Sequence, residues 1–124
     1  MALLCSAYYS TDCKCVNTGE IIISKNCLNT SFIKECSVLA FEFDNRRYMA
    51  HVDSFDITMK DRLYDSLLDI NEYLPNVSKF NIYIGNRCNK NCKSYILIRD
   101  ILNQFKITNI NIYQLSKNKY MVSI

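Results

Sequence analysis

The most constraining feature of this 124-residue sequence is a pair of β-forming runs on either side of two turn-forming residues. Ser37-Val38-Leu39-Ala40-Phe41-Glu42-Phe43 and Arg47-Tyr48-Met49-Ala50-His51-Val52 are rich in apolar, β-branched and aromatic residues. Asp44-Asn45 between them tolerate the positive φ of a tight hairpin. A turn there sets Glu42 opposite Arg47 as a cross-strand charge pair. It also fixes the faces: Cys36, Val38, Ala40 and Glu42 share one with Arg47, Met49, His51 and Asp53. A slip of one residue would send every side chain to the other face.

The remaining chain supplies further elements. Gly19-Glu20-Ile21-Ile22-Ile23-Ser24 reads as a buried strand, whereas residues 27–35 are polar and irregular, a loop or a short helix. Residues 57–74 predict a helix with Leu63, Leu67, Ile70 and Leu74 on its stripe, Thr58 as its cap and Pro75 as its end. Phe80–Ile84 alternates as a strand, and residues 85–93 form a polar loop with Cys88 and Cys92. Residues 94–105 predict a second amphipathic helix with Leu97, Ile101 and Phe105 inward. Residues 109–115 and 119–124 read as a final hairpin. The expected class is α+β: a largely antiparallel or mixed, sandwich-like sheet core with two amphipathic helices packed outside. The length suits one domain, and two glycines and one proline leave no linker composition.

Charge and cysteine usage narrow the function classes. The net charge of +3 is spread along the chain and interrupted by acids, so no basic block marks a nucleic-acid or membrane surface. No apolar run approaches the roughly 20 residues needed to span a bilayer. Residues 1–7 are apolar but too short and uncharged for a signal peptide. These features predict a soluble, cytoplasmic protein. Seven cysteines, an odd number in a chain poor in glycine, predict reduced thiols, with Cys88–Cys92 the pairing left open. The abundance of Asn, Ile, Lys and Tyr fits nucleotide bias as readily as protein function.

The chain has a single histidine, so cysteine–histidine catalysis would have to use His51. With the turn at Asp44-Asn45, Cys36 faces Asp53 and lies diagonal to His51, at a typical separation of about 7–8 Å between backbones. An imidazole beside a thiol takes its proton, the sulfur attacks an acyl carbon, and backbone N–H groups at the loop-to-strand junction hold the oxyanion. On spacing alone the signal is weak, and a buried thiol with a satisfied strand histidine is the commoner explanation of such a pair. A second chemistry is also open: Cys13, Cys15, Cys88 and Cys92 offer four thiolates for structural zinc, though neither pair has the usual two-residue spacing.

The same residues resemble a known family. Thr30-Ser31-Phe32-Ile33-Lys34-Glu35-Cys36-Ser37-Val38-Leu39-Ala40, followed by Tyr48-Met49-Ala50-His51-Val52-Asp53, is similar to the chemoreceptor glutamine deamidases, CheD. It is also similar to their relatives, the catalytic domain of cytotoxic necrotizing factor and the protein N-terminal asparagine amidohydrolases. Thr30, six residues before Cys36, matches the family's threonine, and Ala50-His51-Val52-Asp53 is closest to the asparagine amidohydrolases. The order of the elements, with Ile84-Gly85-Asn86 before the second helix, parallels CheD over most of the chain.

The resemblance implies a CheD-like fold and a deamidase that converts protein Gln or Asn to Glu or Asp through a thioester. Cys36 would be nucleophile and His51 base, with Thr30 orienting His51. It implies no cofactor and a protein substrate with an accessible amide, in the cytoplasm of the producing cell or a host. Where CheD carries Leu-Gly-Ser-Cys, this chain has Ile33-Lys34-Glu35-Cys36, and Met49-Ala50 replaces the usual Gly-Gly. Those departures leave a catalytically inactive interaction module or inhibitor as the alternative.

Overall fold

The computed structural model describes residues 13–31, 33–119 and 121–124; the apolar start at residues 1–7 lies outside them. Among these residues, eight strands and two α-helices follow in the order β1 (Lys14–Cys15), β2 (Ile21–Ser24), β3 (Leu28–Thr30), β4 (Ser37–Phe43), β5 (Arg46–Val52), α1 (Met59–Asp69), a 3-10 helix (Asn71–Asn76), β6 (Phe80–Ile84), α2 (Lys93–Gln104), β7 (Ile110–Gln114) and β8 (Val122–Ser123). One sheet has five strands in the order β2-β5-β4-β6-β7, and a second has three in the order β1-β3-β8. The fold is α+β, with mixed sheets and helices packed on them.

The central hairpin forms in the expected register. Asp44 and Asn45 adopt φ values of 46° and 58°, Glu42 pairs with Arg47, and Val38 pairs with His51. Alternation along β4 and β5 divides the core in two. Leu39, Phe41, Tyr48, Ala50 and Val52 point to the helices and pack with Leu63, Leu67, Ile98, Ile101 and Leu102. Phe41 stacks on Tyr48 at 4.6 Å, and the Tyr48 hydroxyl lies 2.6 Å from that of Ser66 on α1. Burying each such large side chain contributes about 1.5–3 kcal/mol. Val38, Ala40 and Met49 point the other way and pack with Leu28 and Val122 of the small sheet. The expected sandwich is therefore present, with helices on its far side.

Several local expectations are corrected. Residues 27–35 are not irregular throughout: Leu28, Asn29 and Thr30 form a fully buried strand, paired with β1 and β8 on its two sides, and residues 33–35 are irregular as expected. No final hairpin forms. β7 runs parallel to β6 in the large sheet, whereas β8 crosses to β3 in the small one. The long helix expected from residue 57 ends at Asp69, and the 3-10 helix that follows contains Pro75. Its leucine stripe is buried as expected. Thr58 makes no side-chain cap; instead Asp56 Oδ1 accepts from the Thr58 N–H at 2.9 Å. On α2 the buried stripe is Ile98, Ile101 and Leu102, with Leu97 and Phe105 at its margins.

The cysteines also differ from expectation. Cys13–Cys27 and Cys88–Cys92 are disulfides, and Cys15 is disulfide-bonded as well. The cause of the first is register: β1 pairs with β3 so that Lys14 faces Leu28, which sets Cys13 against Cys27 with Cα atoms 4.6 Å apart. The four cysteines weighed as a zinc set are thus occupied by sulfur–sulfur bonds. Cys36 is the one free thiol among the described residues.

Candidate active site

The site lies at one end of the seam between the two sheets, and each sheet supplies part of it. Thr30 comes from β3 of the small sheet, and His51 comes from β5 of the large one. Both are fully buried. The Thr30 hydroxyl donates its single proton to the Val16 carbonyl at 2.6 Å. It lies 2.7 Å from His51 Nδ1, so it must accept there, which places a proton on Nδ1. The tautomer that follows leaves the Nε2 lone pair able to accept a proton. Among the described residues, Nε2 is buried with no hydrogen-bond partner. A buried polar atom left unmatched costs about 1–3 kcal/mol.

Cys36 is half-buried at the entrance to β4, two residues before Val38, the partner of His51. It thus shares the face of His51 and sits diagonal to it. The Asp53 carboxylate acts on both groups, raising the thiol and opposing the fall of the imidazole. Burial is the larger influence on each. It pushes the Cys36 thiol up to about 12, with Asp53 and Glu35 adding to the rise, and draws His51 down to about 4. Both groups therefore rest uncharged at neutral pH. This differs from the low-pKa thiol expected of a cysteine activated by its histidine, and the reason is desolvation next to two carboxylates.

Two glycines, the only ones in the sequence, fix the backbones of the pair. The Gly19 N–H donates to the His51 carbonyl at 2.8 Å, and the Gly85 N–H donates to the Cys36 carbonyl at 3.0 Å. Gly19 has φ of +83°, and at Gly85 any side chain would drive a carbon to 2.5 Å from the Cys36 oxygen and nearer still to that of Lys34. Glycine is thus required where the turn after β6 passes under the segment before β4. That segment is stapled along its length. Asn86 N–H donates to Ile33 O at 3.2 Å and Arg87 N–H to Lys34 O at 2.9 Å, while the Ser94 hydroxyl donates to Glu35 O at 3.3 Å.

With its carbonyls turned to the 85–94 segment, the backbone N–H groups of Lys34, Glu35 and Cys36 have no backbone acceptor among the described residues. Backbone donors left unpaired next to a thiol in the chain are the kind of group an oxyanion requires. Of the three residues named from the sequence, Thr30 and His51 meet directly, and strand register puts Cys36 on the His51 face, two residues before its partner Val38. Gly85 and the electrostatic weight of Asp53 and Glu35 were missed; the scarcity of glycine was the available signal. No protein-family model matches the chain, and no curated protein matches it.

Proposed function

We propose that the chain is a cysteine-dependent amidohydrolase that removes ammonia from a protein Gln or Asn side chain. The observation that carries the reading is the polarised histidine: Nδ1 held by Thr30, Nε2 buried and unpartnered on the face of Cys36. In this mechanism His51 Nε2 takes the Cys36 proton as sulfur attacks the amide carbon. The oxyanion forms against the free N–H groups before β4. Collapse breaks the carbon–nitrogen bond, His51 returns the proton to the leaving nitrogen, and ammonia departs from a thioester. Water, deprotonated by His51, then attacks the thioester carbon, releasing the acid and the thiol. The net change is amide plus water to carboxylic acid plus ammonia. Each proton transfer typically contributes about 10²–10⁴ in rate.

A second reading, a CheD-like interaction module without activity, is favoured by one observation: burial, with Asp53 and Glu35 adding to it, pushes the Cys36 thiol up. The cytoplasmic setting proposed for the substrate has to accommodate the disulfides, which form in oxidising compartments. A protein folded in such a compartment and acting in a host cytoplasm satisfies both.

The test is incubation of complex protein pools with the chain in heavy-oxygen water, followed by mass-spectrometric mapping of amide-to-acid conversion. Discrete labelled sites that vanish with Cys36→Ala and with His51→Ala are expected. A pattern identical to that of Cys36→Ala would discard the enzyme and leave the interaction module.

A further inference from the structure

Cations scattered in the sequence meet beside Cys36. Lys34 precedes the cysteine by two residues, Arg87 follows β6, and Lys117 follows β7; the fold brings all three, with Asn86, around one concavity of about 310 Å³. The hydrogen bonds of Asn86 to Ile33 and Arg87 to Lys34 tie the two walls together, and Lys119 N–H closes the turn that carries Lys117 by donating to Ser116 O at 3.0 Å. None of the three cations joins an ion pair among the described residues, whose ion pairs all involve Arg46, Arg47 or Arg62. The lining holds no carboxylate. The carboxylates of Glu35 and Asp53 act instead on the thiol. The site is therefore bipolar, with a cationic pocket flanking a nucleophile that faces two acids.

We propose that this pocket binds a carboxylate side chain of the protein segment that docks at Cys36, so that the preferred amide lies beside acidic residues. Charge complementarity carries the assignment: three cationic residues line a concavity of about 310 Å³, and none of them joins an ion pair among the described residues. A nucleic acid fits less well, since the lining contains no aromatic ring on which a base could stack. The placement of the amide rests on the amidohydrolase reading; binding of the acidic segment does not.

The experiment separates the two. Binding is measured by fluorescence anisotropy on full-length Cys36→Ala, which cannot turn over, with three labelled probes. These are a glutamine peptide flanked by glutamates, the same peptide flanked by serines, and a single-stranded oligonucleotide of matched charge. The acidic peptide should bind at least tenfold tighter than the serine peptide and weaken as salt rises. Its advantage should disappear in Lys34→Glu/Arg87→Glu/Lys117→Glu, checked for folding by circular dichroism. Equal binding of the two peptides, or an advantage untouched by the charge reversals, overturns the pocket. So does tighter binding of the oligonucleotide that the reversals abolish. If the wild type binds the acidic peptide but releases no ammonia from it, the pocket stands and the enzymatic reading falls. If it deamidates both peptides at equal rates, the pocket falls and the chemistry stands.

Discussion

Thr30 and His51, from different sheets, share a hydrogen bond of 2.7 Å whose direction is set by a third group, because the threonine proton is already given to Val16. A β3 hydroxyl thereby chooses which nitrogen of a β5 imidazole is the base.

Thr30→Val should leave the Nδ1–H and the Val16 carbonyl unmatched, costing about 1–3 kcal/mol of stability. Thr30→Ser should restore most of it. If Thr30 positions His51, the nitrogen-15 shifts of the imidazole will report the Nδ1–H tautomer in wild type and Thr30→Ser and a mixture in Thr30→Val. Deamidation should fall in kcat and leave KM close to that of the wild type. An unchanged tautomer would remove Thr30 from the mechanism.

His51 takes up a proton near pH 4 in the folded chain and near 6.5 when unfolded. Between those values the unfolded chain binds more protons, so stability rises with pH across the window and is lost as pH falls through it. The full difference amounts to about 3 kcal/mol. Urea titrations from pH 7 down to 4 should show this loss, and His51→Gln should flatten it. The acid limb of the deamidation rate should also fall near pH 4, well below that of an ordinary imidazole.

Gly85→Ala should act on a residue it does not replace. The added methyl meets the carbonyls of Lys34 and Cys36, so the segment before β4 must shift. Stability should fall by about 1–3 kcal/mol, and the turnover should fall further than stability explains. A fully active, stable Gly85→Ala would show that this close approach does not hold Cys36.

Reducing Cys13–Cys27 should loosen the strand that carries Thr30. The bond closes a loop between residues 14 apart, and chain-entropy arguments give about 3 kcal/mol for a loop of this size. Cys13→Ser/Cys27→Ser should therefore lower the melting temperature markedly, and hydrogen exchange at Leu28 and Thr30 should quicken. Unchanged exchange at β3 would show that its pairing with β8 suffices.

Local signals explain what the sequence disclosed. The hairpin was readable because Asp44-Asn45 and two alternating runs specify turn, register and face together, and that register, carried back from Val38, puts Cys36 on the face of His51. β3 was not, because three residues with Asn29 at their centre carry no periodicity, and their burial comes from strands distant in the chain. β7 and β8 looked like a hairpin since a short polar turn joins them. The sandwich overrides that proximity by giving each a partner in a different sheet. The cationic pocket was invisible for the same reason: Lys34, Arg87 and Lys117 are neighbours only after three connections converge.

The division of the large sheet into two faces has a bearing on descent. Every candidate catalytic group is on the side of Val38 and Met49, while α1 and α2 cover the side of Leu39 and Phe41. Substitutions that preserve volume beneath the helices can accumulate without disturbing the geometry across the sheet. Lineages of such a chain would thus be free to diverge over half their core until little remains to compare except a threonine, a cysteine, a histidine and the glycines that hold them.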